Sequence, residues 1–352
     1  MAPAPVWTRY MFGLAQLPRT MSAAQRDATH SRRHVRLSVI NDLVRLSRPG
    51  QPDRETGLRV LSTLLAGDAD AEVRARAAIA FADCEAGPEV VPALLTAARG
   101  EHVGVAEMAL AALREIAPPE EPRVSSLVKV LARGEHPALR FQAVGAAARV
   151  LDEVAFIDLL TQLLRDPDVK VRGHALRVAD ERFGGGRIPP SVVRAAEAAV
   201  GDSEPWVRLA AALLLAPHGH GPAHEVLVSA LNQRWPLPAP EDEQALIELV
   251  GELGLTQALP GLRRHARGWF GLVPGRFAWH SQVAMARLGE QAARKAIAAG
   301  LRHRHSHVRA ASALAVGRAR LHELRGEVEQ LVERGKLDPA LAEEVLEELT
   351  HP

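Results

Sequence analysis

Between Asp68 and Asp83 the chain reads DADAEVRARAAIAFAD. Val73, Ala77, Ala78 and Phe81 stand at i, i+4, i+5 and i+8, the spacing of one face of an α-helix. Asp68 and Asp70 lie where a turn hands over to that helix, and short carboxylates there accept the free N–H groups of a first turn. Arg74 follows the valine and is placed to reach back across the turn. A helix this short is marginal alone and needs neighbours to bury its apolar face.

The same pattern recurs. Val73-Arg74…Ala77 is matched by Leu139-Arg140…Ala143, Val171-Arg172…Ala175 and Val207-Arg208…Ala211, with Val308-Arg309…Ser312 a close variant. Val35-Arg36…Val39 is looser, and Val105-Ala106…Ala109 keeps the pattern without the arginine. Weaker copies place Asp242 before Ala245 and Ser281 before Ala284. The arginine-equivalent positions are 36, 74, 106, 140, 172, 208, 242, 281 and 309, separated by 28 to 39 residues. That period, with a turn-then-helix signature, predicts a helical repeat array.

These motifs resemble the HEAT-repeat family, in particular the short bacterial HEAT-like repeats of the bilin lyase type. The residues that carry the resemblance are Asp68-Ala69-Asp70-Ala71-Glu72-Val73-Arg74, Asp166-Pro167-Asp168-Val169-Lys170-Val171-Arg172 and Asp202-Ser203-Glu204-Pro205-Trp206-Val207-Arg208. The resemblance implies an all-α fold, an α-solenoid of about nine stacked antiparallel helix pairs in a right-handed superhelix, used mostly as an interaction scaffold. It transfers no catalytic residue.

The expected layout is one solenoid over residues 1–352. It begins with degenerate repeats at 1–52, continues with regular repeats at 53–216 and irregular basic and aromatic repeats at 217–318, and closes with acidic capping helices at 319–352. Predicted pairs in the regular part are 54–66 with 70–82, 88–99 with 102–116, 122–133 with 137–150 and 152–165 with 169–181. Pro and Gly punctuate the joints, as at Gly87-Pro88 and Pro118-Pro119. A further helix is predicted over 5–16, and a long connection over 268–276. The glycine triplet Gly184–Gly186 lacks a phosphate-loop framework and reads as an inter-repeat loop. Met21 is an alternative start to Met1.

Composition sharpens the picture of the core. Hydrophobic residues make up 47% of the chain but aromatics only 4%, so the core is built from Ala, Leu and Val, which suits closely stacked helices. A single cysteine, Cys84, leaves no internal disulfide framework and fits a reducing, cytoplasmic compartment. No apolar run is long enough to span a bilayer.

Net charge is +1, but its distribution is uneven. Residues 255–320 hold twelve Arg or Lys and one acid, Glu290; residues 321–352 hold nine acids and three bases. The basic block also carries Trp269, Phe270, Phe277 and Trp279, four of the thirteen aromatics in the chain. Arginines with flat rings suit a protein hot spot or nucleic-acid phosphates and bases. They also suit the plugging of an irregular stretch of core. The expected partner-binding residues are Arg263, Arg264, Arg267, Trp269, Phe270, Arg276, Trp279, Arg302 and Arg304. The expected function is a non-catalytic scaffold that binds a protein partner, the alternative being a nucleic-acid binder of DNA glycosylase-like architecture using residues 263–309.

Two further constellations are weighed. Histidines cluster at His218, His220 and His224 and at His303, His305 and His307, but no cysteine or carboxylate group completes a metal site, so neither a metal nor another cofactor is expected. Arg74, Arg140, Arg172, Arg208 and Arg309 recur in register, and the expectation is a structural ladder. In it each guanidinium ties its own turn to the next repeat through carbonyls and Asp70, Asp168 and Asp202, because a cation near a helix start opposes the macrodipole unless paired.

Overall fold

A computed structural model describes residues 18–237, 239–267 and 275–350. Among these residues the regular elements are all helical, and no helix is long and apolar enough to cross a membrane. The fold class is all-α, of the stacked helix-pair type found in α-solenoids. The predicted helix over 5–16 lies outside the described residues, as do Trp269, Phe270 and most of the predicted connection at 268–276. Contacts divide the chain into two compact units, one ending at Val178 and the other starting at Ala179.

The first unit holds α1 (Met21–Ala28), α2 (Arg33–Leu46), α3 (Arg54–Gly67), α4 (Ala71–Asp83), α5 (Val91–Ala98), α6 (Val103–Ile116), α7 (Pro122–Leu131), α8 (Pro137–Val150), α9 (Glu153–Leu163) and the start of α10 (Val169–Phe183). Second helices of successive pairs lie on one another, α2 on α4, α4 on α6 and α6 on α8. First helices do the same, α1 on α3, α3 on α5 and α5 on α7. The predicted face of α4 is the buried one: Val73, Ala77, Ala78 and Phe81 have no exposed surface. Ala106, Ala109 and Ala112 on α6 and Ala143, Ala146 and Ala147 on α8 continue the seam, and small side chains there let the helix backbones approach closely.

Local chemistry sets the ends. Asp70 caps α4 by accepting the N–H groups of Glu72 and Val73, and Asp152 caps α9 through Ala155 N–H. The predicted helix at 88–99 begins as a 3-10 turn over Pro88–Val90, because Pro92 has no N–H to give to the carbonyl of Pro88. Glu85 closes α4 in the left-handed region at φ 54°, with Ala86 N–H reaching back to the Phe81 carbonyl at 2.9 Å.

The second unit holds the rest of α10, then α11 (Pro190–Ala199), α12 (Pro205–Leu215), α13 (Gly221–Gln233), α14 (Pro240–Glu252), α15 (Leu259–Arg267), α16 (Ala278–Arg287), α17 (Gln291–Leu301), α18 (Ser306–Arg318), α19 (Arg325–Glu333) and α20 (Pro339–Thr350). Helix pairing therefore persists through the stretch whose sequence is irregular. Glycine replaces alanine where the approach is closest. A Cβ on Gly251 of α14 would sit 2.9 Å from the Cα and Cβ of Ala284 on α16, and one on Gly261 of α15 would sit 2.8 Å from the Leu231 backbone on α13.

One half-buried titratable group makes the first unit sensitive to acid. The His174 imidazole stacks on Phe141 with ring centroids 4.2 Å apart. Burial, with the charges of Arg114 and Arg177, pushes its pKa down from 6.5 to about 4. The neutral form is the one that folds, so the unfolded chain binds the extra proton between these values. Stability should rise with pH from about 4 to 6.5. Replacing His174 with Phe, which keeps a ring against Phe141, should flatten that part of a urea-denaturation profile measured against pH; an unchanged slope would contradict the assignment.

Candidate functional site

The turn between the two helices of a pair is where chemistry concentrates. Arg36, at the start of α2, uses one guanidinium nitrogen, Nη1, to hold the carbonyls of His30 and Ser31 in its own turn, at 2.9 and 3.2 Å. Its other edge, Nε and Nη2, grips the carboxylate of Asp68 in the next turn at 2.7 and 2.9 Å. Arg140 repeats this geometry. Nη1 holds Gly134 and Glu135 carbonyls, both at 2.9 Å, while Nε and Nη2 meet Asp166 at 2.7 and 2.8 Å. The carboxylates do a second job, accepting the N–H two residues on: Asp70 N–H to Asp68 and Asp168 N–H to Asp166. Burial pushes the Asp68 carboxyl up, but the Arg36 guanidinium and the Asp70 N–H outweigh it and hold the group below its ordinary range. The guanidiniums of Arg36 and Arg140 are held charged by the same hydrogen bonds to Asp68 and Asp166.

This moves two residues of the expected ladder. Asp70 and Asp168 cap their own helices, Asp168 accepting from Lys170 and Val171, and the second oxygen of Asp70 lies 3.2 Å from Arg33 Nε rather than on the ladder arginine Arg36. The bridging carboxylates, Asp68 and Asp166, lie two residues earlier. The displacement follows from the reach of the guanidinium, whose Nη1 sits against the carbonyl six residues before it, so that its free edge meets the corresponding position of the next turn. Asp202 occupies that register and accepts Glu204 N–H at 2.9 Å. Arg74, Arg172, Arg208 and Arg309 all hold the carbonyls five and six residues before them.

What meets the outer edge varies. Arg208 lies over the ring of Trp235, 4.5 Å from its centroid, a cation–π contact in the place of an ion pair. Opposite Arg74 the bridging position is Gly100. Opposite Arg309 it is Lys336, two residues before Asp338, which caps α20 through Ala340 and Leu341. Arg309 Nε then donates to the Lys336 carbonyl at 3.1 Å. A cleft of about 740 Å³ opens beside Arg74 and one of about 500 Å³ beside Arg309.

The basic segment resolves into ties and a remainder. Arg263 pairs with Glu290 at 2.8 Å, and Arg264 donates to the Leu231 and Asn232 carbonyls. Trp279 is half-buried, with its indole N–H given to the Ala311 carbonyl on α18 at 3.1 Å, and Phe277 is core. Arg276 lies 5.3 Å from the Phe277 ring centroid and Arg267 is exposed. The acidic C-terminal helices neutralise part of the block: Arg294 meets Glu323, Arg302 meets Glu327 in a two-point contact, and Arg318 meets Glu348. Arg263, Arg264 and Trp279 are thus engaged within the fold. Arg302 and Arg304 line the cleft together with Arg309, Arg334 and Lys336. Arg334 and Lys336 were missed from sequence, although Lys336 stands where the repeat register calls for Asp.

The histidine groups are dispersed in their bonding. His224 meets the Ala216 carbonyl, His220 lies 3.4 Å from Glu197, the His303 and His305 rings are tilted by 42°, and His305 stacks on His307. Among the described residues no group of three or more His, Cys, Asp or Glu is arranged to hold a metal ion. Burial raises the Cys84 thiol to about 11, which makes it a poor nucleophile at neutral pH.

Residues 124–216 match the family model described as HEAT repeats. No curated protein matches the sequence significantly. Among solved structures, YibA of Escherichia coli aligns with a TM-score of 0.55 and 18% identity over 78% of this chain and 93% of that one. Importin beta aligns with a TM-score of 0.50 and 13% identity over 89% of this chain but only 47% of its own length. The CpcE–CpcF phycocyanin lyase complex of Nostoc sp. aligns at a TM-score of 0.42 and 16% identity over 72% of this chain and 96% of that one, too low to extend lyase chemistry here. Residues 124–216 thus match HEAT repeats, and the chain shares the helical-repeat fold of YibA and importin beta.

The two kinds of turn aspartate predict different losses on mutation. Asp166→Ala leaves the largely buried Arg140 guanidinium unpaired, and should lower the free energy of unfolding by about 3 kcal/mol. Asp70→Ala removes a helix cap and a more exposed ion pair to Arg33 at 3.2 Å, and should cost about 1 kcal/mol. Urea denaturation of the two variants checks this; equal losses would mean that the carboxylate at 166 does no bridging.

Proposed function

We propose that the protein is a non-catalytic scaffold whose second unit holds an acidic segment of a protein partner. The observation that carries this reading is the cleft beside Arg309. Arg302, Arg304, Arg309, Arg334 and Lys336 line it against a single carboxylate, Glu327, which Arg302 already engages. Lys336 occupies the position where Asp68 and Asp166 close their turns, so the cleft has cations on both sides where a closed rung has one of each sign. Acid side chains from a partner would complete it by charge-assisted hydrogen bonds. The helical-repeat fold supports the same reading, since such stacks present long surfaces to other proteins. A cytoplasmic setting accords with the lone, buried Cys84.

A nucleic acid also carries closely spaced anions, and five cations around one cleft would attract it. Protein is favoured because Phe277 is buried in the core and Trp279 is half-buried with its indole N–H given to the Ala311 carbonyl. Base stacking needs an open ring.

The test is fluorescence anisotropy with three probes: a labelled Glu-rich dodecapeptide, a duplex oligonucleotide and a single-stranded oligonucleotide. The peptide should bind, and the double variant Arg304→Glu/Arg334→Glu should weaken it by about tenfold or more at low salt, equivalent to about 1.4 kcal/mol. Neither changed residue takes part in a bond between repeats. Tighter binding of either oligonucleotide, with the steep salt dependence of counterion release, would replace the protein reading. Undiminished peptide binding by the double variant would remove the cleft from it.

A further inference from the structure

The cleft beside Arg74 lies in the first unit and is a different object from the basic one. Arg74 Nη1 is held by the carbonyls of Asp68 and Ala69 at 2.6 and 3.3 Å, as Nη1 is held in Arg36 and Arg140. In those two arginines the outer edge meets a carboxylate at 2.7–2.9 Å. In Arg74 the same edge, Nε and the second Nη, has no hydrogen-bond acceptor and no carboxylate within ion-pair distance among the described residues. The side chain is half-buried, so solvent reaches it only in part.

The missing group is a carboxymethyl, not a turn. Gly100 N–H bonds the Ala97 carbonyl at 3.1 Å, and Asp166 N–H and Asp202 N–H bond the Leu163 and Ala199 carbonyls at the same distance. The backbone that carries an aspartate at 166 and 202 is therefore present at 100 without its side chain. What remains is an open volume of about 740 Å³ with a guanidinium edge on one side and Leu65, Ala93, Ala97 and Val105 forming apolar walls. Glu101 stands on the rim.

We propose that this cleft is a socket for one acidic side chain of a partner polypeptide, an aspartate whose carboxylate takes the place that Asp68 takes on Arg36 and Asp166 takes on Arg140. The apolar walls accept a small aliphatic neighbour of that aspartate. The occupant is a peptide because the two filled rungs are its template: each supplies a carboxylate and, from the residue two further on, a backbone N–H that the same carboxylate holds. It carries a single acid at this point, because Glu101 repels a second. The socket thus differs in ligand from the multiply cationic cleft of the second unit, and its test does not depend on that cleft.

The experiment follows the Arg74 side-chain Nε–H signal by NMR in the full chain while adding Ac-Leu-Asp-Ala-Ala-amide, its Asn counterpart, or propionate. The Asp peptide should shift that signal saturably and bind at least tenfold more tightly than the Asn peptide. Gly100→Asp should close the rung from within, abolishing the shift and raising the melting temperature. Arg74→Gln, read by perturbation of Val105 and Leu65 methyl signals, should lose binding while the protein stays folded. Three results would each overturn the proposal: equal binding of the Asp and Asn peptides, binding retained in folded Gly100→Asp or Arg74→Gln, or propionate binding as tightly as the Asp peptide. The last would make the socket a site for small free carboxylates.

Discussion

A guanidinium shared between two turns is the constraint on which the regular repeats depend. Each helix pair has an apolar face that only its neighbours can cover, so nearest-neighbour contacts set both stability and register. Alanine seams allow the close approach but specify little, since small side chains slide over one another. The arginine adds direction. Its Nη1 holds the end of one turn and its outer edge holds the beginning of the next, so that neighbouring pairs are fixed by hydrogen bonds with defined geometry. At Arg36 and Arg140 both halves are filled, and the carboxylates concerned also order their own turns.

Variation of the outer half converts a structural device into surface chemistry. With Asp opposite, the turn is closed and neutral. Trp235 opposite Arg208 closes it with a ring. Glycine opposite Arg74 leaves space and an unmatched cation; lysine opposite Arg309 leaves space and an excess of cations. The near-zero net charge conceals this arrangement because the acids that balance the basic block are spent in pairs between repeats, Arg263 with Glu290 and Arg318 with Glu348 among them. Such exposed pairs contribute little stability individually. Their larger effect is to decide which arginines remain available to a partner.

Much of the fold was legible because its signal is periodic. Valine, arginine and alanine recurring every thirty-odd residues are visible without any tertiary information, and the predicted pairs fall on the observed helices within a few residues. The bridging carboxylate was misassigned by two positions for a simple reason. Asp68 and Asp70, like Asp166 and Asp168, both suit a helix start, and spacing alone does not say which one faces the next repeat. Trp279 is a different case: its nearness to arginines in the sequence does not show that its N–H is given to the Ala311 carbonyl on α18. Residues 334 and 336 were overlooked because they lie in an acidic segment, where a local excess of Glu masks two cations brought to one turn. Non-glycine residues in left-handed turns, Glu85, Glu120, Arg234 and Arg320, leave no sequence signature at all.

The central claim is that the arginine and the aspartate of adjacent turns stabilise the stack through each other. A double-mutant cycle on Arg140 and Asp166, with alanine at each position and at both, measures that coupling by urea denaturation. The account predicts strong non-additivity, a coupling of about 2 kcal/mol or more, with the double variant little worse than either single one. Losses that simply add, with coupling near zero, would show that the two side chains are neighbours without being a rung, and the reading of the open clefts would lose its basis.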